Sequence, residues 1–452
     1  MTLVSEPSGR PIRYPDVSSA RVMTSRAWFL VILNFLIPGS PQALAGSHRL
    51  GRFGLFFTLL LWVLAALTAV IYFIWPQVVF SIVTLEWTLT AVQVFLTVYA
   101  LLWLVLTLDT LRLVRMVRIR PPMRAIVSFF TVALLLGTAG TAAYGAYLVN
   151  VQRGLVASIF SVQAAAEPPV NGRYNILLMG GDAGPDRDGL RPDSLSVVSI
   201  EADSGRVTMI GVPRDLENTP LASTSPLSGS EYAPDGSYDC GSDCQISFLY
   251  PRVMTFSQNL YPDAVAKGSN AGIEATKDAV EGALGIRIQY YVLIDMQGFA
   301  DLIDALGGVD INVAERLPIG GDENLNEVEG WIEPGQQHMN GDIALWYARS
   351  RHTTSDYDRM QRQRVLQAAI LTQFSPVNVL SKFQGIAEAG AQVVNTDIPQ
   401  STLAYFIDLA MKSKGQAIDT VELVPPAVNP QAPDFDAIHQ TIATALVLST
   451  AK

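Results

Sequence analysis

The chain has 452 residues, a net charge of −10 and 49% hydrophobic residues. An acidic protein lacks the broad basic face that displaces counterions from a nucleic acid, so we exclude nucleic acid as a partner. The charge is unevenly distributed: the first 160 residues contain 12 arginines, no lysine and 4 acidic side chains, and the remaining 292 contain 19 basic and 37 acidic ones. The chain therefore divides into two parts with different surroundings.

Three long apolar stretches occupy the N-terminal part, at Phe53–Trp75, Trp87–Leu108 and Ala125–Val149. Each has 22 to 25 residues. A helix needs about 20 residues to cross the roughly 30 Å hydrocarbon layer, so we predict three transmembrane helices. Another apolar run, Ala27–Ile37, has only 11 residues and stops at Pro38, so we expect a re-entrant or interfacial segment there.

Arginines determine the predicted orientation. Six precede the first span and five lie between the second and third, whereas Pro76–Glu86 contains neither Arg nor Lys. The positive-inside rule places the arginine-rich segments in the cytoplasm, so we predict a multi-pass plasma-membrane protein with an extracytoplasmic C-terminal domain. The predicted segments are a cytoplasmic N-terminus (1–52), three transmembrane helices (53–150), a linker (151–170) and an outer domain (171–447).

The C-terminal part alternates between strand-like and helical patterns. Short runs rich in Ile, Leu and Val that end at Gly, Asp or Pro predict buried strands. Their alternation with helical segments predicts an α/β fold in which helices cover a sheet. The predicted strands are Tyr174–Met179, Leu195–Ile200, Val207–Val212, Tyr291–Ile294 and Val309–Val313, and the predicted helices are Ile273–Leu284, Phe299–Leu306 and Tyr357–Phe374.

The only two cysteines, Cys240 and Cys244, lie in a loop rich in Gly, Ser and Asp. An oxidising compartment favours a disulfide between them, and the alternative is two unpaired loop thiols. No nearby His or Cys completes a four-ligand set, so we do not predict zinc at this pair.

Five arginines lie between positions 349 and 364 of this otherwise acidic region. Guanidinium groups repel one another and bind phosphate oxygens two at a time, so their clustering predicts a polyanionic ligand. In an extended segment Arg349 and Arg351 point to the same side. On the helix that follows, Arg359, Arg362 and Gln363 share a face.

Other charged side chains lie at predicted strand ends, where open α/β sheets bind ligands. Arg191 and Arg214 are candidates for the same anion site. Asp182 and Asp193, with phosphate oxygens, form an all-oxygen set that suits Mg²⁺ or Mn²⁺, although strand-end aspartates are also common turn formers. Asp215 is either the general base or a partner that orients an arginine.

The remaining polar side chains are not assigned to the site. Arg364 lies on a different face of the predicted helix, so we expect a surface ion pair there. The four histidines show no metal-ligand spacing, and each is expected to be a surface or packed side chain: His48, His338, His352 and His439.

Taken together, these motifs resemble the LytR-CpsA-Psr family over roughly residues 171–447. The resemblance rests on GGDAG (180–184), RPDS (191–194), VPRD (212–215), LGGVD (306–310) and ARSRHTTSDYDRMQRQR (348–364), in this order. It implies an extracytoplasmic α/β/α domain that binds a polyprenyl-pyrophosphate-linked glycopolymer. Such a domain transfers the phospho-glycan to a cell-wall hydroxyl, typically on peptidoglycan, with assistance from Mg²⁺.

The matching motifs also imply roles for individual residues. Asp182 and Asp193 would hold the metal, and Arg214, Asp215 and Arg351 are the candidate catalytic residues. The implied pyrophosphate ligands are Arg191, Arg214, Arg349, Arg351, Arg359 and Gln363.

Two further features follow from the resemblance. The polyprenyl chain would occupy an apolar groove between sheet and helices, for which Phe299, Leu302 and Ile303 are candidates, although such residues are more often plain core. The family's Lys-Ile-Asn-like motif is replaced here by Gln245-Ile246-Ser247, so the lysine of that motif has no counterpart.

Two other functions are compatible with the same residues. A hydrolase would use water in place of the sugar hydroxyl, and a non-catalytic regulator would bind the lipid pyrophosphate without transferring glycan. Peptidoglycan fragments distinguish a transferase from a hydrolase, because only the transferase uses them.

Overall fold

The computed structural model describes residues 12–75, 78–79, 82, 85–160, 165–182, 190–241, 243–322, 324–373 and 394–451. The chain divides into an N-terminal unit, Met1–Arg153, and a C-terminal unit, Gly154–Lys452. Parts of the predicted segments lie outside the described residues: 1–11 of the N-terminal segment, 76–77, 80–81 and 83–84 between the first two spans, 161–164 of the linker, and 183–189, 242, 323 and 374–393 of the outer domain, which include Ala183 and Gly184 of the GGDAG motif and Phe374.

The N-terminal unit is helical. Its helices are α1 (Ala20–Leu36), α2 (Ser40–Ala45), α3 (His48–Ile74), α4 (Glu86–Val114) and α5 (Pro121–Ile159), the last of which continues beyond the unit. Among the described helices, α3, α4 and α5 are long and apolar enough to cross a membrane. The N-terminal unit is therefore a membrane anchor.

The apolar run Ala27–Ile37 belongs to a longer helix that is broken by a glycine turn. Gly39 separates α1 from α2 with a φ of +94°. A Cβ on Gly39 would lie 2.5 Å from the backbone nitrogen of Leu55, so the close packing of this turn on α3 requires glycine. Asn34 of α1 donates a buried hydrogen bond of 2.9 Å to Thr107 of α4. The segment thus packs against two of the long helices through glycine and polar contacts.

The C-terminal unit has the α/β fold that the sequence predicts. Its strands are β1 (Arg173–Asp182), β2 (Arg191–Glu201), β3 (Val207–Val212), β4 (Thr219–Pro220), β5 (Ser237–Tyr238), β6 (Tyr290–Asp295), β7 (Val309–Val313), β8 (Leu317–Gly320), β9 (Val328–Ile332), β10 (Gly335–Met339), β11 (Val394–Thr396) and β12 (Asp419–Glu422). Its helices are α6 (Ile246–Phe256), α7 (Ala271–Leu284), α8 (Met296–Leu306), α9 (Gly341–Arg349), α10 (Asp356–Gln373), α11 (Leu403–Ser413) and α12 (Phe435–Ala451).

The main sheet is mixed and has the strand order β11-β6-β1-β2-β3-β12. β1 pairs in parallel with β6 and antiparallel with β2. Because successive residues of a strand face opposite sides, Leu177 and Val197 enter the main core with α6, α7 and α12, whereas Leu178 and Val198 face the opposite side. One face of the sheet is thus filled by core, and the other is covered by α8, α9 and α10.

A second apolar cluster holds these covering helices in place. It joins α8, α9 and α10 to the strand pairs β7–β10 and β8–β9 through Ile303, Val309, Met339, Tyr347 and Leu366, all of which are buried. The layer formed by α8, α9 and α10 is therefore stabilised by a hydrophobic core that is separate from the core on the opposite face of the sheet.

The sequence patterns locate the central elements closely. The predicted strands Val207–Val212 and Val309–Val313 have the observed bounds. β1 continues three residues past the predicted end at Met179, because two glycines still pair with β2. Helix α6 was not predicted, since Pro251 interrupts its pattern.

Cys240 and Cys244 form a disulfide, as expected for an oxidising location.

A close helix crossing fixes the covering layer and provides a test of the packing. A Cβ on Gly341, the first residue of α9, would lie 2.0 Å from the carbonyl oxygen of Ala300 in α8. We predict that Gly341→Ala forces backbone movement and lowers the free energy of unfolding of the C-terminal unit by about 1–3 kcal/mol. Thermal unfolding of the full chain in detergent measures this effect.

The matched control is Gly330→Ala in β9. A Cβ there would meet the Ile319 side chain at 3.5 Å, an ordinary van der Waals contact. Equal unfolding temperatures for the two variants would contradict the proposed crossing.

Candidate functional site

A cavity of about 540 Å³ lies between the sheet and helices α8, α9 and α10. Its walls are mostly apolar, and polar side chains gather where β1 and β2 approach the start of α10. The size lies within the range of small-molecule sites. Among the apolar lining residues are Leu178, Val198, Val292, Phe299, Leu302 and Ile370.

A β-bulge shapes the polar end of this cavity. The register of β1 and β2 shifts between Gly180 and Gly181, so that Gly180 pairs with Ser194 and Gly181 pairs with Pro192. The extra residue is Asp193, and both Asp193 and Ser194 line the cavity. A bulge re-aims side chains in this way, and here it presents a carboxylate and a hydroxyl in succession.

Arg214 and Asp356 form the centre of an ion-pair network at this end. Arg214, two residues after β3, donates to Asp193 Oδ1 at 2.7 Å and to Asp356 Oδ2 at 3.2 Å. Arg359 reaches Asp356 Oδ1 at 3.0 Å, and Arg351 reaches the same oxygen at 3.5 Å. Three arginines from two separate stretches of chain therefore converge on one carboxylate.

The two best-buried arginines of this network have opposite pKa shifts. Burial acts to lower the pKa of Arg214, but Asp356 and Asp193 outweigh it, and the net shift is upward. For Arg359 burial dominates and, together with Arg214 and Arg351, lowers the pKa in spite of Asp356. The charge of Arg359 is therefore undercompensated by the described residues.

Arg359 also has unused hydrogen-bonding capacity. Its side chain is only 6% exposed and lines the cavity, and its Nε is buried without a hydrogen-bond partner. An unsatisfied buried donor on a cation costs free energy, which an anion in the cavity would recover.

The other predicted ligands on α9 and α10 also face the cavity. Gln363 accepts a hydrogen bond from Ser194 at 2.8 Å and donates to the carbonyl of Ala348 at 3.2 Å, so it connects β2 with α9. Arg349 is the last residue of α9, not part of an extended segment, and its guanidinium lies 5.7 Å from the ring centre of Trp346. Arg349, Arg351, Arg359 and Gln363 are thus brought together.

Two predicted site residues lie elsewhere. The guanidinium of Arg191 stacks on the ring of Phe248 in α6, 3.9 Å from its centre, a favourable cation–π contact. Asp215 accepts a hydrogen bond from Gln431 at 3.0 Å. Neither side chain is among the described residues that line the cavity; Arg214 is not among them either, but it contacts the lining residue Asp193 directly.

The expectations for two neighbouring arginines were wrong. Arg362 does not share the cavity face; it is buried and donates to the carbonyls of Tyr347 and Ser350 and to Thr354. Arg364 does form an ion pair, with Glu422, but it is 3% exposed and not on the surface. Both differences arise from tertiary contacts that helical periodicity does not encode.

A divalent cation would have the two predicted aspartates as protein ligands, so it would need phosphate oxygens as well. The backbone of Asp182 pairs with that of Arg191, so Asp182 and Asp193 lie at the same end of β1 and β2; the side chain of Asp182 is outside the described part of the structure. No group of three or more His, Cys, Asp or Glu that could hold a metal occurs among the described residues. Two carboxylates with phosphate oxygens fit Mg²⁺, which is commonly bound through one or two carboxylates plus substrate phosphates.

Sequence reasoning missed Asp356 and His352. Asp356 was seen only as the start of a helix, and the signal that could have revealed it is its position three residues before Arg359. His352 was expected to be an ordinary surface or packed side chain, but it lines the cavity beside Arg351. Of the apolar candidates, Phe299 and Leu302 line the cavity, whereas Ile303 is fully buried in the second core cluster.

The C-terminal unit matches a known family. The family model described as "LytR_cpsA_psr family" matches residues 157–432, which is more than half of the chain. The chain belongs to the LytR_cpsA_psr family. The family resemblance seen in the sequence is therefore confirmed.

Individual relatives are more distant. The chain is 28% identical over 235 residues to biofilm regulatory protein A of Streptococcus mutans serotype c, covering 51% of each chain. It is 29% identical over 231 residues to the polyisoprenyl-teichoic acid–peptidoglycan teichoic acid transferase TagV of Bacillus subtilis, covering 50% of each. The matches thus span about half the length of these curated relatives. The crystal structure of B. subtilis TagV aligns at 25% identity with a TM-score of 0.42, covering 62% of this chain and 98% of TagV.

The ion-pair network makes a prediction about anion-dependent stability. Asp356→Asn removes the carboxylate shared by three arginines, so we predict a loss of about 1–3 kcal/mol of folding free energy in buffer without multivalent anions. Inorganic pyrophosphate should restore more stability to the variant than it adds to wild type, because an anion replaces the missing charge. Thermal unfolding with and without pyrophosphate measures both effects.

Asp310→Asn is the control, since Asp310 is exposed and pairs only with His338 among its described contacts with charged groups. If pyrophosphate stabilised both variants equally, the shared carboxylate would not be what balances the arginines.

Proposed function

We propose that this protein is a membrane-anchored phosphotransferase that moves a glycopolymer phosphate from a polyprenyl-pyrophosphate carrier to a sugar hydroxyl of peptidoglycan. The observation that carries the proposal is the position of the arginine network at the polar end of an apolar cavity. Such a site is complementary to a molecule with an anionic head and a long apolar tail. A pyrophosphate-linked isoprenoid has both.

The charges at the polar end fit a pyrophosphate. Four arginines, Arg214, Arg349, Arg351 and Arg359, lie at this end with three carboxylates, those of Asp193, Asp295 and Asp356, so the described side chains there carry a net positive charge. Guanidinium groups bind phosphate oxygens in pairs, and a site excluded from water strengthens these contacts.

The reaction requires little covalent chemistry from the protein. An acceptor hydroxyl attacks the phosphorus next to the glycan, a new P–O bond forms, and the polyprenyl phosphate leaves with the electrons of the broken P–O bond. Negative charge develops on oxygens that the arginines already face, so preorganised guanidinium groups stabilise the transition state. Arg214 and Arg351, which approach different oxygens of Asp356, are the proposed catalytic arginines.

A divalent cation completes the proposal. Asp182 and Asp193 would hold Mg²⁺ next to the phosphate oxygens. When bound, Mg²⁺ neutralises negative charge on the transferring phosphate. Arg191, over Phe248, is proposed to contribute to pyrophosphate binding only at longer range.

The membrane anchor is consistent with this donor. A carrier whose tail lies in the bilayer is available only near the membrane, and the anchor keeps the domain there. The arginine distribution around the spans supports a multi-pass arrangement with an outer C-terminal domain. The similarity to TagV of Bacillus subtilis, a polyisoprenyl-teichoic acid–peptidoglycan teichoic acid transferase, supports the same class of reaction.

Glycan ligation by purified variants tests the proposal directly. We predict that Arg351→Ala and Asp182→Ala each lower the rate of transfer to peptidoglycan fragments by about 10²-fold or more, as the loss of one transition-state partner does in other enzymes. The control is Arg316→Ala, an exposed arginine stacked on Trp331. Near-normal turnover in both site variants would refute the site.

The same assay separates the competing functions. A transferase forms a glycan–peptidoglycan phosphodiester, a hydrolase releases phosphate whether or not fragments are present, and a regulator retains the lipid without either product. Either of the last two results with wild-type protein would overturn the proposal.

The apolar cavity can be tested independently of the arginines. Leu302 is partly buried and lines the cavity, so Leu302→Trp fills space that we assign to the isoprenoid. We predict at least about tenfold weaker donor binding, because a rigid indole excludes the tail. Val365→Trp, at an exposed position of α10, is the control, and unchanged donor binding by Leu302→Trp would contradict the assignment.

A further inference from the structure

The proposed transfer needs a group that takes the proton from the acceptor hydroxyl. Arginine cannot serve, because its guanidinium remains protonated in proteins. Among the described residues that line the cavity, three other side chains carry an ionisable group: Asp193, Asp295 and His352.

The two carboxylates are already engaged by donors. Asp193 accepts from the guanidinium of Arg214 at 2.7 Å, so this carboxylate is already paired with a cation. Asp295 caps the N-terminus of α8 and accepts from the backbone N–H of Gly298 at 2.6 Å. Asp215 does not line the cavity and accepts from Gln431.

His352 differs from these groups in exposure and in chemistry. It lines the cavity next to Arg351, and its side chain is exposed to an incoming acceptor. Imidazole is the only side chain whose ordinary pKa, about 6.5, lets it accept and release protons near neutral pH.

The loop that carries His352 is held in place by a buried arginine. Arg362 donates to the backbone carbonyls of Tyr347 and Ser350 and to the side chain of Thr354, on both sides of His352. Ser350 in turn donates to the carbonyl of Pro318 in β8 at 3.1 Å. The chain on both sides of His352 is therefore held by packed neighbours, which limits where the imidazole can lie.

A carboxylate lies within electrostatic range of the imidazole. Asp322, in the turn between β8 and β9, has its pKa lowered mainly by hydrogen bonds from Asn326 and to a smaller extent by His352. Asp322 is thus one of the charged groups near this histidine.

We propose that His352 is the general base of the transfer and that it accepts the proton of the acceptor sugar hydroxyl as the oxygen attacks phosphorus. This inference rests on the proposed function. The hydroxyl proton moves to the imidazole, the oxygen forms the new bond to phosphorus, and polyprenyl phosphate leaves with the electrons of the broken bond. The imidazolium then returns its proton to water or to the departing phosphate.

Several charged groups surround this histidine and enter any pH profile. They are Arg349 and Arg351 on its own segment, Asp356 and Arg359 on α10, Asp193 on β2, Asp295 at the start of α8 and Asp322 in the β8–β9 turn. The arginines keep their charge at all accessible pH values, so an acid limb comes from the imidazole or from a carboxylate, and loss of the limb in His352→Gln assigns it to the imidazole.

The test is the single-turnover transfer rate of the full-length protein as a function of pH, with a lipid-linked pyrophosphate glycan and peptidoglycan fragments. Wild type should lose rate as the pH falls through the range in which imidazole is protonated. His352→Gln should transfer about 10²-fold more slowly or worse, without that acid limb, while it retains the lipid donor in native mass spectrometry. A second variant, His352→Ala, tests for rescue: free imidazole in solution can replace the missing side chain as a base, so it should raise the transfer rate of this variant.

His338→Gln is the matched control. His338 is also exposed and adjacent to a carboxylate, Asp310 at 2.7 Å, but it does not line the cavity, so its replacement should leave rate and pH profile unchanged. A His352→Gln variant with the wild-type rate or the wild-type acid limb overturns the inference. So does a variant whose lost activity is accompanied by lost donor binding, because the residue would then bind the donor. Wild-type protein that retains the donor and transfers nothing refutes the proposed function itself.

Discussion

The arrangement of the site depends on buried arginine side chains that lie around Asp193 of β2 and Asp356 of α10. These carboxylates compensate the positive charge of the arginines only in part. Arg214 is balanced by Asp193 and Asp356, and its pKa is raised despite burial. Arg359 is nearly inaccessible, has a lowered pKa and keeps an unbonded Nε. A folded domain tolerates this imbalance only if surrounding structure holds it, and an anionic ligand relieves it.

The rest of the C-terminal unit provides that support. The β-bulge at Gly180 and Gly181 turns Asp193 towards the cavity, and the second core cluster joins α8, α9 and α10 to one another. The space left between the two layers is apolar. The cavity therefore has charged groups at one end and apolar walls along the rest.

Much of this arrangement could be predicted from the sequence, because it follows from local patterns. Strand runs indicated the sheet, the arginine cluster indicated that several arginines gather at one place, and the order of the motifs indicated the family. The contacts of Arg362 could not be predicted, since they depend on the fold of the loop between α9 and α10. The stacking of Arg191 on Phe248 could not be predicted either, because Phe248 belongs to helix α6, whose sequence pattern is interrupted by Pro251. The role of Asp356 could not be predicted, because it depends on a contact with Arg214, which follows a strand far away in the sequence.

Native mass spectrometry of the full-length protein in detergent is the most direct test of the central claim. The undercompensated arginines and the apolar cavity predict that wild type co-purifies with a polyprenyl pyrophosphate. Arg359→Met, which removes the buried charge and keeps the bulk, should lose it. Wild type without lipid after incubation with the donor, or a variant that retains it equally well, would contradict the account.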